Sequence, residues 1–61
     1  MTLESLVEAA READRFIAKA RRAVSRLKSD GEHYAGPRPE VAAAKRASMD
    51  LTRALAAMRH S

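Results

Sequence analysis

Five cations, Arg11, Arg15, Lys19, Arg22 and Arg26, recur every three or four residues in the first half of this chain. On an α-helix that spacing gathers them into one row facing solvent. A row of guanidinium and ammonium groups is the arrangement that engages phosphates. Arg21, Lys28, Arg38, Lys45 and Arg46 add positive charge around the middle of the chain, and Arg53 lies further along. In all, twelve Lys and Arg stand against eight Asp and Glu in 61 residues, a formal net charge of +4. That balance admits an anionic partner: a nucleic acid, a nucleotide or an acidic protein. The same row also serves to keep a sticky helical surface in solution, and no aromatic interleaves with it to stack bases. The spacing alone therefore leaves both roles open.

Other chemistry is sparse. There is no Cys, so neither disulfides nor thiol catalysis are available. His33 and His60 are the only histidines, and neither has a carboxylate or second His at ligand spacing, so no metal is expected. The serines form no Ser/His/Asp arrangement, no carboxylate pair sits among apolar neighbours, and Gly31 and Gly36 make no phosphate-loop fingerprint. A binding protein without cofactor is expected rather than an enzyme. The segment from Glu32 to Arg38 holds the only Tyr, Tyr34, between His33 and Arg38. These three residues are a candidate contact loop, with an exposed aromatic able to stack or anchor a partner. The plainer role for Tyr34 is a lid over Leu27 and Val41.

Two helices must carry these groups. Leu3, Leu6, Ala10, Ala13, Ile17, Ala20, Val24 and Leu27 are spaced alternately three and four apart, an unbroken heptad stripe. Thr2 is a good N-cap, Glu4 suits the first turn, and the cations come late, as the helix dipole favours. This helix is expected over about 3–29, with Gly31 as a left-handed cap just beyond. Gly31, Gly36, Pro37 and Pro39 confine residues 30–38 to a loop. Pro39 suits the first position of a second helix, over about 39–59. Its stripe is Val41, Ala44, Ser48, Leu51, Leu55 and Met58, and its end carries Arg59 and His60. Folded antiparallel, the stripes match in one register. Leu27 meets Val41, Val24 meets Ala44, Ala20 meets Ser48, Ile17 meets Leu51, Ala13 meets Leu55, and Ala10 meets Met58. Large residues then face small ones, and Ser48 can satisfy its hydroxyl on its own backbone.

Some apolar residues are left over. Leu3, Leu6 and Val7 extend past the end of the second helix, and Ala9, Phe16, Ala23, Ala47 and Ala54 form a second row. So wide a face exceeds a two-stranded seam, and a chain this short buries too little to be secure alone. The reading is a single all-α domain, 1–61. It is an antiparallel helical hairpin that self-associates as a homodimer, in a four-helix bundle, or as a higher oligomer. Leu3, Leu6, Val7, Phe16, Ala20, Ala47, Leu51 and Leu55 are the expected interface. No apolar run is long enough to span a bilayer, and the start, Met1-Thr2-Leu3-Glu4, lacks the basic region of a signal peptide. No membrane partner is expected, and the location expected is cytoplasmic.

In architecture the pattern resembles the Rop-type RNA-binding bundle: a short chain, two helices and a basic helix face. Met49-Asp50-Leu51-Thr52-Arg53-Ala54-Leu55-Ala56 is similar to the Met-x-Leu-x-Arg-Ala-aliphatic segment in the second helix of small phage helical-hairpin proteins. Those proteins are sponges that sequester the cyclic-nucleotide signals of antiviral defence. The likeness covers these eight residues; Ala47-Ser48 stands where that family usually has Gly-Phe, and the first helix has no match. It implies an oligomeric nucleotide binder, in the host cell cytoplasm if phage-encoded, with Arg53 at the matching position. The expected function is therefore non-enzymatic binding of nucleic acid or a nucleotide through Arg15, Lys19, Arg22, Arg26, Lys45, Arg46 and Arg53. The other class of function is a small regulatory or phage-encoded interaction module that blocks a partner protein through the loop or the apolar patch.

Overall fold

Thr2 starts the first helix through a reciprocal cap. Its Oγ1 accepts from the Ser5 N–H at 3.1 Å, and its own N–H donates to Ser5 Oγ at 3.0 Å. Two of the donors that a helix start leaves orphaned are thereby satisfied. In the computed structural model, which describes residues 1–30 and 38–61, α1 runs Leu3–Asp30 and α2 runs Pro39–His60. Pro39 opens α2 as its spacing predicts. Arg38 is the N-cap with extended backbone and makes no side-chain capping bond, and its carbonyl accepts from the N–H groups of Val41 and Ala42, both at 3.1 Å. Ser48 Oγ donates to the Lys45 carbonyl at 2.6 Å, the back-bond expected of a helix-borne serine. At the other end Ser61 Oγ donates to the Met58 carbonyl at 3.0 Å. Among the described residues there is no strand, and no helix is long and apolar enough to cross a membrane. The expected Gly31 cap and the lid formed by Tyr34 lie outside the described residues.

The two helices pack against each other, antiparallel. Three side-chain pairs fix the register. Ser5 Oγ lies 2.6 Å from Ser61 Oγ at one end, Arg15 Nη1 lies 3.2 Å from Asp50 Oδ2 near the middle, and Arg26 Nε lies 4.0 Å from Glu40 Oε2 towards the other end. The long dimension, 44 Å, is close to the ~42 Å that 28 helical residues span at 1.5 Å each.

The seam itself differs from the expected one. Among the described residues, Ala9, Ala23 and Ala47 are the buried ones, at 4%, 7% and 1% exposure, and Phe16 is half-buried between the first two. The heptad stripe of α1 lies to one side: Ile17, Val24 and Leu27 remain 47%, 51% and 41% exposed. The layers expected with Leu51, Ala44 and Val41 are therefore not closed over Ile17, Val24 and Leu27. The physical reason is size. Alanines at contact positions let two helix axes approach closely, and that approach buries backbone and Cβ atoms along the whole length. Facing Ile17 and Val24 across the seam would hold the axes further apart. The row Ala9, Phe16, Ala23 sits one residue earlier in the heptad than the stripe, so the helix is turned by roughly a quarter turn relative to the expected packing.

The close approach makes Ala47 the least tolerant position of α2. Ala47→Leu is expected to overpack the seam and cost about 1–3 kcal/mol. The same change at exposed Ala57 should stay within about 0.5 kcal/mol. Urea unfolding followed by circular dichroism at matched protein concentration measures both.

Candidate anion-binding groove

The cations of α1 and α2 meet along the flank of the hairpin that lies opposite the exposed stripe. Arg15, Lys19, Arg22 and Arg26 descend α1 at three- and four-residue steps, and Arg46 and Arg53 follow α2 at a seven-residue step. Between them runs an open groove lined by Arg15, Lys19 and Arg46, with Pro39, Ala42 and Ala43 as its floor. The small floor residues are what let long basic side chains from two helices converge. A continuation towards the end of α2 is lined by Lys45, Arg46, Met49, Asp50 and Arg53. A smaller hollow adjoins the groove at Lys19, Pro39 and Ala43 and takes in Arg22 and Glu40.

Carboxylates divide these cations into two groups. Asp50 is the organising acid: Oδ2 accepts from Arg15 Nη1 at 3.2 Å, and Oδ1 accepts from Arg53 Nη2 at 2.7 Å. Arg15 also lies 3.6 Å from Glu12 Oε2, and Arg26 is held by Glu40. By contrast, Lys19, Arg22, Lys45 and Arg46 have no carboxylate within ion-pair distance among the described residues. Lys19 is half-buried, with its stem along the groove, and the other three are exposed. An incoming anion would therefore meet four uncommitted cations, with Arg15 and Arg53 held beside them by Asp50 and usable only in competition with it.

Asp50 and Glu40 were not singled out by the spacing of the cations, although an acid three residues before Arg53 was a visible sign. Replacing Asp50 by Asn should release both arginines. We expect anion affinity to rise roughly fivefold, about 1 kcal/mol, while the loss of two largely exposed ion pairs costs stability no more than about 1 kcal/mol. Titration of a labelled polyanion and a melting curve test the two halves separately.

Of the remaining candidates, Arg38 is half-buried at the start of α2, while His33 and Tyr34 lie outside the described residues. Among the residues expected at an oligomer interface, Leu3, Leu6 and Val7 are exposed; Phe16, Ala20, Leu51 and Leu55 are half-buried; Ala47 is covered by the hairpin itself. His60 is exposed, and no three His, Asp or Glu among the described residues are placed to hold a metal ion. Comparison of the chain with protein-family models, with curated proteins and with solved structures finds no match.

Proposed function

We propose that this protein is a non-enzymatic, self-associating binder of polyanions that takes nucleic-acid phosphates along the groove between its helices. The observation that carries this reading is the convergence of Arg15, Lys19 and Arg46, from two different helices, on one groove with a small apolar floor. The groove is open rather than a closed pocket and shares Ala42 and Arg46 with the hollow further along α2, which suits an extended backbone of phosphates. The described part of the groove offers no aromatic face for a base, so recognition rests on charge and on the spacing of phosphates rather than on sequence.

Fluorescence anisotropy with labelled single- and double-stranded oligonucleotides, run as a salt series, tests it. Affinity should fall linearly on logarithmic axes with increasing salt. Absence of binding to either oligonucleotide at low salt, or binding indifferent to salt, would refute the proposal. A cyclic dinucleotide belongs in the same series, because the hollow formed by Lys45, Arg46, Met49 and Arg53 contains the residue at which the second helix resembles the nucleotide-sequestering phage hairpins. Saturable binding of that ligand with no affinity for oligonucleotides would make the protein a nucleotide binder instead.

A further inference from the structure

The heptad stripe of α1, whose large side chains the hairpin leaves exposed, is arranged in a palindrome. Leu3, Leu6, Ala10 and Ala13 precede Arg15, the midpoint of the stripe, and Ile17, Ala20, Val24 and Leu27 follow it at mirrored distances. Laid antiparallel on a second α1, the row pairs with itself. Leu3 meets the second copy's Leu27, Leu6 its Val24, Ala10 its Ala20, and Ala13 its Ile17. Each layer then occurs twice, related by a two-fold axis at the level of Arg15. No shift of register is needed, and no polar residue enters a layer.

Exposure agrees with this arrangement. Leu3 is 78% exposed, and Leu6, Ile17, Val24 and Leu27 are all more than two-fifths exposed, whereas among the described residues no large apolar side chain is fully buried. The seam row Ala9, Phe16, Ala23 and the exposed stripe lie roughly a quarter turn apart on α1. That is the angle at which a helix of a four-helix bundle meets its two neighbours. One face of α1 is thus already taken by α2, and the adjacent face has the composition and width for another helix.

Charge selects the direction of pairing. The first half of α1 carries Glu4, Glu8, Glu12 and Asp14 against Arg11 and Arg15, a net negative charge, and the second half carries Lys19, Arg21, Arg22, Arg26 and Lys28 against Asp30, a net positive one. Antiparallel pairing sets each acidic half beside a basic half; parallel pairing would set like beside like. Asp14 and Arg21 border the stripe on the side away from α2. Both are exposed, and neither has an ion pair among the described residues. Because helical side chains lean towards the N-terminus, antiparallel copies bring each Asp14 within reach of the other copy's Arg21, twice over.

We infer that the exposed stripe of α1 is a homodimer interface in which two α1 helices pair antiparallel, in the register Leu6 to Val24. This deepens the self-association included in the proposed function, and it names the face and direction. The chain has no cysteine, so engineered ones report without background. Leu6→Cys and Val24→Cys are made as single variants, checked for helicity, and oxidised separately and mixed, alongside sedimentation of the unmodified protein. In one chain the two positions stand about 27 Å apart along the helix axis, too far for an intramolecular disulfide. The expected result is a disulfide-linked heterodimer in the mixture and little product from either variant alone. Linked Leu6→Cys homodimers would show a parallel pairing and overturn the inference. A protein that sediments as a dimer yet gives no mixed disulfide pairs through another face, which also overturns it but leaves self-association standing. A monomer at every concentration removes both.

Discussion

Ile17→Asp is expected to abolish self-association and, with it, most of the thermal stability of the helices. In a lone hairpin this change would matter little, because Ile17 is 47% exposed and such surface substitutions usually stay within about 0.5 kcal/mol. In the paired arrangement Ile17 stands in the central layer, opposite Ala13 of the second copy, and the layer occurs twice. Burial of the exposed half of two isoleucine side chains, at about 1 kcal/mol each, is lost, and two carboxylates must be desolvated or the interface abandoned. The readout is the melting curve at two protein concentrations about a hundredfold apart. For the unmodified dimer the apparent stability should rise by about 2.7 kcal/mol over that range, and for Ile17→Asp it should not move. An unmodified protein whose melting is independent of concentration, and a variant that melts beside it, would mean that the hairpin stands alone.

The second large effect belongs to the basic flank. Lys19→Glu combined with Arg46→Glu replaces two uncommitted cations that face one groove from opposite helices. Charge-assisted hydrogen bonds of this kind contribute about 1.5–3 kcal/mol each, so oligonucleotide affinity should fall by roughly a hundredfold or more. The salt dependence should become shallower by about two units of slope, close to one for each phosphate that is no longer neutralised. Helicity and dimerisation should persist, because both positions lie on the flank away from the α1 stripe. A double variant that binds as tightly as the parent, with the same slope, would place the phosphate site elsewhere on the molecule.

Much of this architecture is readable from residue spacing. Thr2, Pro39 and Ser48 act locally, through a cap, a fixed φ and a back-bond, and each does in the structure what its type and position predict. The helix bounds follow to within a residue. The packing face of α1 does not. Two apolar rows lie side by side on that helix, the larger one at Leu6, Ile17, Val24 and Leu27 and the smaller one at Ala9, Phe16 and Ala23. Periodicity identifies both but contains nothing about which neighbour each row meets. Hydrophobicity favours the bulky row for the hairpin seam, whereas the small row allows the closer approach. The groove was half legible for a similar reason. The cations could be read as one row per helix, but their meeting depends on the register, and the influence of Asp50 on Arg15 depends on a hydrogen bond between residues thirty-five apart in sequence.

The two flanks of the hairpin have opposite characters, aliphatic on one and cationic on the other. When two copies join by their aliphatic flanks, the cationic ones are left on opposite outer sides of the pair, facing away from each other. The assembled protein is then divalent, and its two grooves cannot serve one short ligand together. A short oligonucleotide should titrate at one per protomer with independent sites, whereas longer strands offer every dimer two places to hold. On such polymers the protein would behave as a cross-bridge, gathering separate strands as mixing approaches equivalence and releasing them again when protein is in excess.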